Sequence, residues 1–206
     1  MGINRFQLLL VFVAGMLLQA CPNIGEEDCG DPNQYYITSE KLITVHPEKS
    51  IFPIGDTLWI EGKIDKLQTT NYNTEIDIYD ETGVSIVEVG SFLRKNVPDT
   101  VVQGVTFNTG IPYFLETTVE HGYVESRVDA YGFNHVMIFA KLEQDKYWFK
   151  VGYILNELGD FLLFHPAIDS FRIVFSKGND CGETYTVYTN LANPNNGYGF
   201  SFEVTD

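Results

Sequence analysis

The chain has 206 residues, with 13 Lys+Arg against 28 Asp+Glu and a formal net charge of −15. A surface of that sign repels phosphate backbones and anionic lipid heads, which argues against a nucleic-acid partner. Charged residues are only 20% of the chain while 44% is hydrophobic and 14% aromatic, which argues against an acidic disordered tail and fits one folded domain or two small ones in contact.

Residues 1–20 have the three-part layout of an export signal. Met1 to Asn4 bring the amino terminus, Arg5 adds a positive charge, Leu8 to Leu18 form an apolar core, and a small residue precedes Cys21. The apolar run is shorter than the roughly 20 residues that a membrane-spanning helix needs. Leu18, Ala20 and Cys21 resemble the lipobox of bacterial lipoproteins, although Gln19 departs from the small or β-branched residue common at its place. The resemblance implies cleavage before Cys21, acylation of that cysteine with palmitate-type chains, and attachment to the cell envelope as an outer-membrane lipoprotein. The membrane is then the first expected partner, with the periplasmic or outer face left open. Loss of the signal removes Arg5 and leaves 12 − 28 = −16 on the mature chain.

With Cys21 assigned to lipid, Cys29 and Cys181 remain. An exported chain favours a disulfide between them, two free thiols being the alternative. Closing so long a loop would stabilise the fold by at most about 5 kcal/mol.

Residues 21–34 are polar, with Pro22, Gly25, Gly30, Pro32 and the acidic run Glu26-Glu27-Asp28, and are expected to form a short stalk. Residues 35–206 are expected to form an all-β domain. Leu58, Ile60 and Ile64 alternate with Thr57, Glu61 and Lys63, and Ile76 and Ile78 alternate with Glu75 and Asp77. Two runs apolar on both faces, residues 133–142 and 147–155, flank a turn at Glu143-Gln144-Asp145-Lys146 and are expected as the central strand pair. Residues 156–160 predict a turn or a single helical turn. Phe171, Ile173 and Phe175, then Tyr198, Phe200, Phe202 and Val204, alternate with Ser170, Arg172, Val174, Gly199, Ser201 and Glu203 as half-buried strands. Many short strands with turn residues between them predict a β-sandwich with immunoglobulin-like or jelly-roll connections.

Tyr36-Ile37, then Ile43, Pro47 and the run Phe52-Pro53-Ile54-Gly55-Asp56-Thr57-Leu58-Trp59-Ile60, resemble the opening of β-rich envelope lipoproteins of Bacteroidota, often without assigned activity. Glu26-Glu27-Asp28 resembles that phylum's acidic signal for surface display, lying somewhat later than usual. Asp99-Thr100-Val101 resembles its O-glycosylation site, placing a candidate glycan on Thr100 in a loop beside Pro98; Asp56-Thr57-Leu58 matches the same pattern.

A nucleophile elbow, a P-loop and a His-Glu-x-x-His pair are absent from the sequence. His46, His121, His135 and His165 fall in separate segments without ligand spacing, and His135 is expected as a hydrogen-bonded core histidine. No cofactor or metal centre is expected. Glu75 with Asp77, and Asn179 with Asp180 and Glu183, are oxygen-rich pairs for which a solvated face is the plainer explanation. The aromatic residues point elsewhere. Trp59 falls on the polar side of its strand beside Glu61, and Trp148 alternates with Lys150 and Gly152. Flat rings on a sheet stack on the apolar edges of sugars while carboxylates take the hydroxyls; burial beneath a neighbouring element is the alternative. Trp59 and Glu61 are therefore the candidate ligand-binding residues of a non-enzymatic module for a glycan or an envelope protein. The alternatives are a structural or adhesive subunit and a carboxylate-dependent glycan hydrolase.

Overall fold

The computed structural model describes residues 34–90, 92–95, 100–102, 105–107, 111–112, 115–128, 130, 132, 134–163, 171–176, 183–197 and 199–206. Residues 21–33 of the expected stalk and the cysteines, Cys21, Cys29 and Cys181, lie outside them, as do His165, Asn179 and Asp180; Gln34, expected to end the stalk, already opens the first strand. The fold is an all-β sandwich, as the alternating patterns predict. Among the described residues no helix is long and apolar enough to cross a membrane.

The strands in chain order begin with β1 (Gln34–Thr38), β2 (Ile43–His46), β3 (Ile51–Pro53) and β4 (Thr57–Asp65). A hairpin of β5 (Leu67–Thr69) and β6 (Glu75–Asp77) leads into α1 (Ile78–Thr82), then β7 (Ile86–Gly90) and β8 (Leu93–Lys95). A two-stranded ribbon of β9 (Thr100–Val102) and β10 (Val105–Phe107) precedes β11 (Ile111–Pro112), β12 (Thr117–His121) and β13 (Tyr123–Val128). The chain closes with β14 (Asn134–Glu143), β15 (Lys146–Ile154), β16 (Gly159–Leu163), β17 (Phe171–Ser176), β18 (Thr184–Thr189) and β19 (Phe200–Thr205).

A seven-stranded sheet combines β2, β4, β15, β14, β13, β12 and β7; a five-stranded sheet runs β11-β8-β16-β19-β3, and a three-stranded sheet β1-β18-β17. The chain steps from the large sheet at β2 to the five-stranded one at β3 and back at β4, which ties the layers together. Between them lies one core. Tyr147 of β15 meets Phe175 of β17 edge-on at 4.7 Å, and Phe92, just before β8, stacks with Phe149 at 6.1 Å. Ile60, Ile64, Val151, Phe161, Ile173 and Phe202 are buried in the same cluster, each an inward position of an alternating strand.

The expected central pair is present but parts early. β14 and β15 pair only from Glu143–Lys146 to Lys141–Trp148, joined by Gln144 and Asp145, both left-handed, as a two-residue hairpin turn demands. Beyond Trp148 the two strands diverge. β12 runs in along β15, the chain turns at Gly122 (φ +75°), and β13 runs out along β14. Apolar residues occupy both faces of β14 because Tyr123 of β13 stacks on Phe139 at 4.5 Å and covers its outward side.

One expected strand is partly a helix. Alternation at Ile76 and Ile78 predicts extended chain, yet the strand stops at Asp77, whose Oδ1 accepts from the N–H groups of Tyr79 and Asp80 and caps α1. Gly83, at φ 69°, ends the turn. An N-cap aspartate and a left-handed glycine outweigh two points of alternation. The turn expected at residues 156–160 is shorter, since Gly159 and Asp160 already belong to β16.

Candidate binding face

The register of β4 with β15 builds the outer face of the large sheet. Trp59 stands opposite Gly152, Glu61 opposite Lys150 and Lys63 opposite Trp148. Because the inward partners Leu58, Ile60, Phe149 and Val151 are buried, these side chains point away from the core. The two candidate residues, Trp59 and Glu61, thus lie side by side.

Gly152 explains how Trp59 is seated. A Cβ there would stand 2.6 Å from Thr57 Cγ2, 2.9 Å from Thr118 Cγ2 and 3.2 Å from Trp59 Cδ2. The absent side chain is the space into which the indole and two threonine methyls pack. Trp59 is half-buried, with Lys150 Nζ 5.0 Å from its ring centroid. Its indole N–H has no hydrogen-bond partner among the described residues.

Trp148 is more committed. Its Nε1–H donates to Glu61 Oε1 at 3.1 Å, and His121 stacks on it at 3.3 Å and 14°. Lys63 Nζ lies 4.3 Å from the ring and 2.7 Å from Glu61 Oε1. His121 Nδ1 in turn lies 2.9 Å from Glu143 Oε2. Burial disfavours the charged form of Glu61, but hydrogen bonds from Lys63 and Trp148 and the charge of Lys150 outweigh it. The carboxyl is held below the usual range. Of the two tryptophans, Trp148 is the support and Trp59 has the freer ring.

The face continues across β14 and β13. Arg127 lies over Phe139 at 5.3 Å and is held by Glu88 and Glu125, while Lys141 lies over Tyr123 at 5.4 Å. Among the described residues, the rings of Trp59, Trp148, Tyr123 and Phe139 on this face therefore each have a cation above them. Tyr123 and Lys141 escape sequence analysis because their approach depends on β13 entering the fork beyond the short hairpin.

Other sequence candidates are placed differently. Glu75 and Asp77 do not form an open pair: Asp77 caps α1 and binds Lys66 Nζ at 2.9 Å. Glu183 accepts the hydroxyls of Tyr35 (3.1 Å) and Tyr185 (2.6 Å). His135 is not a hydrogen-bonded core residue. It faces outward with Met137 and Phe139, and its Nδ1 is buried without a partner among the described residues. Thr100 opens β9 opposite Phe107 instead of standing in a loop. Among the described residues no three His, Cys, Asp or Glu side chains gather as a metal site.

Among the described residues, clefts of about 720 Å³ beside Ser50, Asn195 and Ser201 and about 540 Å³ beside Asp65, Lys66 and Asp145 are also present. Their polar groups are largely committed to structure. The Asn195 amide binds both main-chain groups of Ser201, and Lys66 bridges Asp77 and Asp145.

The architecture and site define a multi-sheet β-sandwich with an aromatic, cation-studded outer face. Comparisons with protein-family models, curated proteins and solved structures find no match.

Proposed function

We propose that the protein is a lipid-anchored envelope module that binds a glycan or protein ligand, without turnover, on the outer face of its large sheet. The observation that carries this reading is Trp59, an indole seated on Gly152 with an unengaged N–H, beside Glu61 and Lys150. A sugar ring laid on that indole would bury its apolar C–H edge, while the N–H and the two charged groups serve its hydroxyls. The bonds joining Glu61, Lys63 and Trp148 hold this arrangement before any ligand arrives, which lowers the ordering cost of binding.

The capped strand edges weigh against an adhesive subunit that pairs by strand addition. Asn193 gives its amide to both main-chain groups of Val45 on β2, and Asn71 does the same for Tyr36 on β1 through its side-chain oxygen and main-chain N–H. The engagement of Asp77 weighs against a hydrolase built on Glu75 and Asp77.

Two experiments test the proposal. Labelling cells with a palmitate analogue is expected to mark the native chain and not Cys21→Ala; an unlabelled native chain contradicts the anchor. A glycan array with the purified chain is expected to give binding that Trp59→Ala abolishes. Equal binding by the variant removes Trp59 from the site.

A further inference from the structure

We infer that the ligand of this face is an anionic glycan, one carrying carboxylate or sulfate groups, and that Lys141 receives the negative group; the inference rests on the binding face proposed above. Charge is unevenly shared over the molecule. The outer face carries five basic residues (Lys63, Arg127, Lys141, Lys146, Lys150) and six acidic ones (Glu61, Asp65, Glu88, Glu120, Glu125, Glu143), a balance of 5 − 6 = −1. Among the described residues the rest of the chain then carries 11 − 5 = 6 basic and 20 − 6 = 14 acidic residues, or −8. An anionic chain meets less repulsion here than over the rest of the described residues.

Ammonium groups stand over the rings of Trp59 and Tyr123. A neutral sugar that stacks on Tyr123 must push aside the Lys141 ammonium and offers it no counter-ion, whereas Lys150, over Trp59, already has Glu120. A sugar acid instead gives the displaced ammonium a counter-ion while its C–H edge takes the ring. The arrangement at Tyr123 thus favours an anionic sugar.

Lys141 is singled out by what it lacks. The four other cations on the face are already held: Lys63 by Glu61, Lys146 by Asp65, Lys150 by Glu120 and Arg127 by Glu88 and Glu125. Lys141 is half-buried, stands opposite Trp148, and has no carboxylate within ion-pair distance among the described residues. Glu143, the acidic neighbour on its own strand face, is turned to His121 instead. A half-buried lysine whose ammonium lies over Tyr123, without a counter-ion among the described residues, is a position for the ligand's charge.

The test is titration of the purified full chain in detergent with polygalacturonate, alginate and chondroitin sulfate, alongside methyl-esterified polygalacturonate and dextran. The inference expects at least one polyanion to bind, more weakly as sodium chloride rises, and the neutral chains to bind at least tenfold less. Lys141→Met, which keeps the apolar stem, is expected to lower polyanion affinity about tenfold, whereas Lys41→Met, in the exposed turn after β1, leaves it unchanged. Equal binding of esterified and free polygalacturonate, or indifference to Lys141→Met, overturns the inference. If neutral chains then bind in a Trp59-dependent way, the proposed face survives without its anionic preference. If no glycan binds, the inference falls, and a glycan ligand for this face falls with it.

Discussion

Trp59 and Gly152 stand directly opposite each other on β4 and β15, and the indole occupies the room that a side chain at Gly152 would need. Three residues along the same ladder the arrangement is repeated on the other face, where Phe149 lies over Gly62 in the core. A glycine in a strand costs conformational entropy and leaves a bare patch, and a large ring across from it restores the contact. One strand pair thus uses the same device inward for stability and outward to present an aromatic surface.

Gly152→Ala is expected to push out the Thr57 and Thr118 methyls, which its Cβ meets inside 3.0 Å, and to shift Trp59, which it meets at 3.2 Å. Crowding of this kind costs about 1–3 kcal/mol. Urea unfolding would register the loss and tryptophan fluorescence the altered ring environment. An unchanged midpoint and spectrum would mean that the indole is not seated as described.

The Glu61 carboxyl, held below its usual range, contributes stability that is present in full above its unfolded value. That stability is lost as pH falls through the lower folded value. Glu61→Gln is therefore expected to show a shallower loss of stability between neutral pH and pH 2 than the native chain. Urea midpoints measured across that interval check it, and parallel curves would contradict it.

How far this was legible in the sequence depends on whether contacts were local. Strict alternation at Leu58, Ile60 and Ile64 and at Phe200, Phe202 and Val204 placed β4 and β19 and put Trp59 outward, since a strand's inward and outward positions follow from a period of two. Ile76 and Ile78 offered too few points of alternation to outweigh the Asp77 cap and Gly83. Tyr123 and His121 join the face through a turn at Gly122 into the β14–β15 fork, a long-range event with no local pattern. The amide caps of Asn71 and Asn193 were hidden for the same reason.

Asn193→Ala removes two hydrogen bonds and leaves the Val45 N–H and C=O, both on a partly buried edge, without that partner. The expected loss is about 1–3 kcal/mol, together with a new tendency to associate through β2 that light scattering would detect. Unaltered stability would show that water replaces the amide at no cost.

Tyr153 is fully buried, its ionisation pushed up by that burial, and its hydroxyl has no hydrogen-bond partner among the described residues. Tyr153→Phe removes an unsatisfied polar atom while keeping the ring, so it is expected to leave stability unchanged or raise it by about 1 kcal/mol. A thermal midpoint below the native value would mean that the hydroxyl is engaged.

The chain has two tryptophans, Trp59 and Trp148, and both stand on the proposed binding face. Their indole N–H resonances in a nitrogen-15 correlation spectrum, recorded during titration with a glycan selected on the array, test the central claim most directly. The account expects the Trp59 signal to move strongly and saturably, with a smaller shift at Trp148, whose N–H stays with Glu61. Saturable binding that leaves both signals in place would put the ligand elsewhere on the molecule.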